Sequence, residues 1–212
     1  MKDKKGLFSY PRLRFINLLN RDHEERYLEF KPPSHWKYIK LQIVKTALGM
    51  VNIRDGGTII IGVSEKNGDF YREGLTDKQI ETYKPFDKVK AYVNRHCDPF
   101  IDVELHPCEW KKKRFLAIEV HEFNEIPVIC SSSRGLLQKN AVYTRPWRTP
   151  GTEKVSSQTE MREIISLAID KGIRNFIERK LPEIAIEITA LKNYANIEKR
   201  RTNKNGAKQR NR

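Results

Sequence analysis

Apolar positions recur along this chain in two periods, one near 3.6 residues and one of two. After Ser34, the positions Trp36, Ile39, Ile43, Ala47 and Met50 fall at helical spacing and predict an amphipathic helix with one face turned inward. Thr58 to Val63 is an uncharged run rich in β-branched residues, which predicts a central strand covered on both faces, entered through the turn Asp55-Gly56-Gly57. Tyr27, Leu28 and Phe30 within Arg21 to Lys31 read as a short strand ended by Pro32 and Pro33. Glu65 to Gly74 reads as a loop, and Pro85 to Arg95 as a helix carrying Phe86, Val89 and Val93. Ile101 to Trp110 alternates apolar and polar positions, and the basic turn Lys111 to Arg114 leads into Phe115 to Phe123, so the pair predicts an antiparallel hairpin. Val142 to Arg145 is a further short strand. Ser157 to Glu160 forms a capping-box pattern ahead of a long helix with Met161, Ile164, Ala168 and Ile169 inward. Pro182 is expected to interrupt it, with a last helix carrying Ile184, Ile188, Leu191 and Ala195. Strands and helices interleave without βαβ repetition, which predicts an α+β fold with a mixed β-sheet, packed helices and C-terminal helices.

Charge changes this picture. The 212 residues carry 41 Lys+Arg against 27 Asp+Glu, a formal net charge of +14. Seven of the basic residues lie between Lys199 and Arg212, a stretch without an acid or a large apolar side chain, so half of the excess sits on a segment that cannot bury a core. A basic body with a basic arm points to a polyanion partner through counterion release, and a solubilising tail is the ordinary alternative. The three cysteines lack the spacing of a disulfide framework, and no apolar run reaches a membrane span or a secretory signal. A cytoplasmic protein with no membrane partner is expected.

The ordered segments EERYLEFK, VNIRDGGTIIIGV, NEIPVI and AVYTR followed by SSQTEMREII resemble the AlbA-like domain of Schlafen proteins. The organisation implied is an N-terminal segment 1–20, the AlbA-like nucleic-acid-binding domain 21–170, a helical extension 171–198 and a disordered basic tail 199–212. One departure is that Asn52 is followed by Ile53-Arg54-Asp55 before Gly56-Gly57, a residue longer than the family pattern.

The resemblance implies nucleic-acid binding and, as in animal members, metal-dependent cleavage of structured RNA such as tRNA, with RNA favoured over DNA. Glu24 and Glu29 match the family's two glutamates, with Phe30 and Lys31 following, while Ser64-Glu65 stands where the family has an aspartate pair. Glu24, Glu29 and Glu65 are therefore the expected catalytic residues and the ligands of Mg²⁺ or Mn²⁺. Such carboxylates hold a hard cation that stabilises charge on phosphoryl oxygens. The substitution at Ser64-Glu65 keeps a second reading open, a non-catalytic DNA- or RNA-binding regulatory module. The plain alternative for the glutamates is solvated surface charge, with Glu29 paired to a lysine.

Lys31, Lys111, Lys112, Lys113, Arg114, Arg145 and Arg148 are the expected nucleic-acid contacts, the arginines through bidentate phosphate binding. Trp147 beside them reads either as a base-stacking residue or as the seal of a core edge. His106, Cys108, His121 and Cys130 form a weakly spaced zinc set, and at the family's zinc positions this chain has His96-Cys97 and Asn124-Glu125, so no zinc is expected. By analogy with the two-lobed animal proteins, the apolar positions of the last helices predict a homodimer.

Overall fold

The sequence of elements in the computed structural model, which describes residues 10–149 and 151–193, begins with helix α1 (Tyr10–Leu19), strand β1 (Leu28–Lys31), helix α2 (Trp36–Met50) and strands β2 (Gly57–Ile61), β3 (Val63–Lys66) and β4 (Asp69–Arg72). Helices α3 (Asp77–Glu81) and α4 (Phe86–Asn94) follow, then strands β5 (Cys97–Asp98), β6 (Val103–Trp110), β7 (Lys113–Val120), β8 (Ile129–Cys130), β9 (Tyr143–Thr144) and β10 (Glu153–Lys154), and helix α5 (Gln158–Asn175). The four-stranded sheet has the order β1-β2-β7-β6. β1 runs parallel to β2, and the other pairs are antiparallel, so the sheet is mixed and the fold α+β.

Both faces of the sheet are covered, which is why β2 has no polar alternation. On one face Phe15, Leu18 and Leu19 of α1 pack with Leu28, Phe30, Ile60, Cys108 and Phe115. On the other, Ile39, Ile43 and Ala47 of α2, Val89 and Val93 of α4, and Ile164 and Leu167 of α5 pack with Ile59, Ile61 and Ile118. The chain divides into a compact unit that ends at Ala168 and a second that begins at Ile169. Among the described residues no helix is long and apolar enough to cross a membrane.

Several elements differ from the sequence expectation. The run from Thr58 to Val63 is broken at Gly62, whose φ of 117° and close approach to Phe115 redirect the chain from β2 into β3. The expected loop 65–74 is instead the β3–β4 hairpin, closed by Asn67 and Gly68, both with positive φ; Asn-Gly is a turn suited to the right-handed twist of a hairpin. α1 lies in the segment 1–20, and α3 begins with a capping box between Thr76 and Gln79, neither expected from the apolar pattern. Pro182 does not interrupt the helix, which continues to residue 193. A π-helical turn, Phe176–Lys180, immediately precedes it, and the Leu181 N–H donates to the Phe176 carbonyl five residues back. That wider turn makes room where a proline ring would strike an α-helical carbonyl and where its missing N–H would leave one unpaired. The basic segment 199–212, the end of the expected helical extension at 194–198 and residues 1–9 lie outside the described residues.

Candidate functional site

Glu29 and Lys31 share one face of β1, because Leu28 and Phe30 fill the opposite face. Glu24 precedes the strand and returns to it: the Phe30 N–H donates to Glu24 Oε1 at 2.7 Å. Val63, Ser64 and Glu65 lie just beyond β2, which pairs with β1 through Lys31 and Ile61. Together these segments wall a cavity of about 450 Å³ lined by Glu24, Glu29, Lys31, Ser64, Glu65 and Lys66, among others. The three expected carboxylates thus line one cavity, with Glu65 exposed and Glu29 only 8% exposed.

The charges in this cavity are coupled. Burial pushes the Glu24 carboxyl above its ordinary value, and neighbouring Glu29 pushes it the same way, against the Phe30 N–H, Lys31 and Arg145. Glu29 has a cation on each oxygen: Lys31 Nζ donates to Oε1, and Arg145 Nη1 donates to Oε2 at 2.6 Å. The donors are all oxygen, which suits a hard divalent cation, and the mutual repulsion of Glu24 and Glu29 is what such an ion would relieve. These carboxylates are not among the described groups whose ligand atoms all lie within 4.8 Å of one another, so holding one ion requires the side chains to turn inward.

Arg145, expected at a phosphate, is fully buried. Besides Glu29, it donates from Nε to the Arg26 carbonyl at 2.6 Å and from Nη2 to the carbonyls of Glu25 at 3.1 Å and Leu28 at 3.3 Å. Its place is therefore behind the cavity, holding the acid-bearing segment in position. Arg26 completes the brace: its Nε donates back to the Arg145 carbonyl, and Nη1 and Nη2 grip Glu163 at 2.5 and 2.7 Å. Sequence reasoning missed Arg26, because nothing in a run of charges separates a half-buried, structurally held arginine such as Arg26 from an exposed one such as Arg21. Asn52 is a second unforeseen anchor, completely buried, with Nδ2 at 2.8 Å from the Val128 carbonyl and 3.0 Å from that of Tyr143. The extra residue after it is accommodated by two consecutive left-handed residues, Asp55 and Gly56, and a Cβ on Gly56 would lie 2.0 Å from the Val120 carbonyl.

The β6–β7 turn lies at the same end of the sheet as the acid cavity, since Lys31 pairs with Ile61 and Ile61 with Leu116 near the start of β7. Its four basic residues are exposed but unequally held. Lys111 Nζ lies 4.2 Å from the centre of the Trp110 ring, Lys113 donates to the Arg72 carbonyl at 2.8 Å, and Arg114 pairs with Asp77. Lys112 projects from the turn with a positive φ of 61°. Arg148 is exposed and lines a second cavity, of about 580 Å³, which shares Glu24 with the first.

His106 and His121 flank Glu104, with Nε2 at 3.2 Å from Oε2 and 3.7 Å from Oε1. Cys108 is buried under α1 instead, and Cys130 pairs in register with Cys97, whose thiol burial pushes up to about 12. The four residues weighed as a zinc set are thus distributed over different parts of the fold.

A family model described as "Schlafen, AlbA_2" matches residues 24–149. Among solved structures, the chain is similar to the DIP2311 protein from Corynebacterium diphtheriae, at 17% identity and a TM-score of 0.46, over 72% of this chain and 27% of that one. It is also similar to the N-terminal domain of a protein related to the ATP-dependent DNA helicase RecG from Nitrosomonas europaea, at 18% identity and a TM-score of 0.39, over 61% of this chain and 86% of that one. No curated protein matches it.

Proposed function

The chain belongs to the Schlafen AlbA_2 family, matched over residues 24–149, and from that premise we propose that it binds nucleic acid and cleaves structured RNA, such as tRNA, as a metal-dependent endoribonuclease. The observation that carries this reading is the single cavity lined by Glu24, Glu29 and Glu65 at the sheet end that also bears the basic β6–β7 turn. Mg²⁺ or Mn²⁺ bound by these carboxylates would supply Lewis-acid stabilisation of the charge that builds on the phosphoryl and leaving oxygens. Lys31 would meet a phosphate oxygen as a point charge when Glu29 turns to the ion, and the hydrogen bond from Arg145 would keep Glu29 oriented. Lys112 and Arg148 supply exposed positive charge along the approach.

One observation favours the second reading, a non-catalytic DNA- or RNA-binding regulatory module: Glu29 already has both oxygens on cations. The two readings separate in one assay. The purified protein is incubated with tRNA and with duplex DNA, in Mn²⁺ or in EDTA, alongside Glu65→Ala and Glu24→Gln. Glu65 is exposed, so its truncation leaves the fold intact, whereas Glu29→Ala would strand the buried Arg145 charge. Metal-dependent cuts in tRNA that both variants lose support the nuclease. Binding without any cut, unchanged in both variants, leaves the module. The apolar side chains of the C-terminal helix, in the same proposal, form the seam of a homodimer.

A further inference from the structure

The cavity next to the acids has an aromatic platform that the cleavage chemistry does not use. Trp147 is 78% exposed, and one face of its indole rests on the Arg26 guanidinium, 4.4 Å from the ring centre. Arg26 cannot swing away, because Glu163 holds both of its terminal nitrogens and the Arg145 carbonyl accepts from its Nε. A fixed cation thus backs one face of an exposed indole. Around it, the cavity of about 580 Å³ is lined by Glu24, Tyr27, Arg54, Asp55 and Arg148, and its shared wall with the acid cavity is Glu24 itself.

We infer that this cavity receives an unpaired base of the bound nucleic acid, stacked on the open side of Trp147, next to the phosphate that Lys31 would meet beside Glu24, Glu29 and Glu65. The inference rests on the nucleic-acid reading of the acid cavity and adds to it which part of the substrate the neighbouring surface takes. Its volume falls within the range of about 300–1,000 Å³ typical of sites for small planar ligands. A large exposed aromatic ring backed by a fixed cation offers a stacking surface for any base, since every base has a π face. A base inside a duplex has both faces occupied by its neighbours, so only a looped, bulged or terminal nucleotide can use this platform. Arg148 is exposed on the rim, where the phosphate of that nucleotide would lie, and the exposed Asp55 carboxylate can accept from a base N–H. The geometry therefore selects RNA with an unpaired nucleotide beside the site of attack.

The test uses the full-length protein in EDTA, so that binding is read without cleavage. Wild type, Trp147→Ala and Trp147→Phe are titrated against a labelled RNA hairpin with a single-stranded loop and against a fully paired RNA of equal length at the same salt concentration. The exposed position of Trp147 leaves unfolding temperatures unchanged, which thermal melts verify. Trp147→Ala is expected to weaken loop binding about tenfold while leaving duplex binding unaltered, and Trp147→Phe, which keeps a ring, to stay within about threefold of wild type. Wild-type affinity of Trp147→Ala for both RNAs, or an equal loss on both, overturns the base pocket while the nucleic-acid reading stands. If wild type binds neither RNA, in EDTA or in Mn²⁺, that reading fails and the pocket fails with it.

Discussion

At the scale of single residues, the site is organised by side chains that do opposite things with the same chemistry. Arg145 and Arg148 stand close together in the chain, yet one is fully buried against Glu29 and three carbonyls and the other is exposed. The sequence assigned both to phosphate, because composition does not reveal that the partners of Arg145 come from a segment about 120 residues earlier. The acids were legible through their family spacing, and in the structure all three line one cavity. Their electrostatic coupling was not legible, since it depends on Glu24 folding back onto the Phe30 N–H. That coupling has a measurable sign. The folded Glu24 carboxyl holds its proton above the ordinary value of 4.5, so between that value and its raised one the folded state binds more protons than the unfolded state. Stability from this group is therefore present at low pH and falls as pH rises through the window. Glu24→Gln, which retains the acceptor for Phe30, is expected to match wild type near pH 4 and to exceed it near pH 7 in denaturant melts without divalent ions. Added Mn²⁺ should raise the melting temperature of wild type and leave the variant unmoved. A constant difference between the two proteins across pH would contradict the coupling.

Among the elements, the long C-terminal helix shows why a proline is an imperfect stop signal. Pro182 was expected to divide two helices, but the π-helical turn before it removes the two reasons for a break. The same turn has a second effect on the apolar face. Ile165, Ile169, Ile173, Ile177 and Leu181 recur every four residues, a spacing that drifts around an ordinary α-helix, and a π turn resets the phase. From Ile177 through Leu181, Ile184, Ile188 and Leu191 the steps alternate between four and three, the period of a two-helix seam. Each of these side chains is exposed. If a second copy covers them, light scattering should give a mass that rises with concentration toward twice the 24.9 kDa chain, and Ile184→Glu should hold it at one. A single-chain mass at every concentration would remove the dimer. Elsewhere the sequence pattern identified α2, β2, the β6–β7 hairpin and the start of α5, where periodicity and capping agree with tertiary burial. It passed over α1, where Pro11 and two arginines interrupt the apolar positions, and the β3–β4 hairpin, where an Asn-Gly turn was present without apolar alternation beside it.

For the whole molecule, the net charge of +14 is carried partly by the described body and partly by the seven basic residues between Lys199 and Arg212. Exposed cations, Lys112 and Arg148 among them, give the body positive surface charge of its own. A chain cut after Glu198 is therefore expected to keep RNA binding but with a shallower dependence on salt, because fewer counterions are released per complex. Complete loss of binding on truncation would assign the affinity to the tail alone and leave the cavities without a polyanion role.

The pairing of β1 has a consequence for how this protein behaves in company. As the outermost strand of the sheet, β1 would ordinarily present a row of open hydrogen-bonding groups to any extended chain in solution. Here the outward Phe30 N–H is taken by Glu24, and the outward Leu28 carbonyl by Arg145 and the Glu25 N–H. Leu28 N–H is closed onto the Glu25 carbonyl as well. Glu24, proposed to work on RNA, and Arg145 behind it thus also act as bumpers along an adhesive border. A Glu24→Ala chain should be more prone to clump as well as less active, whereas Glu24→Gln should remain well behaved.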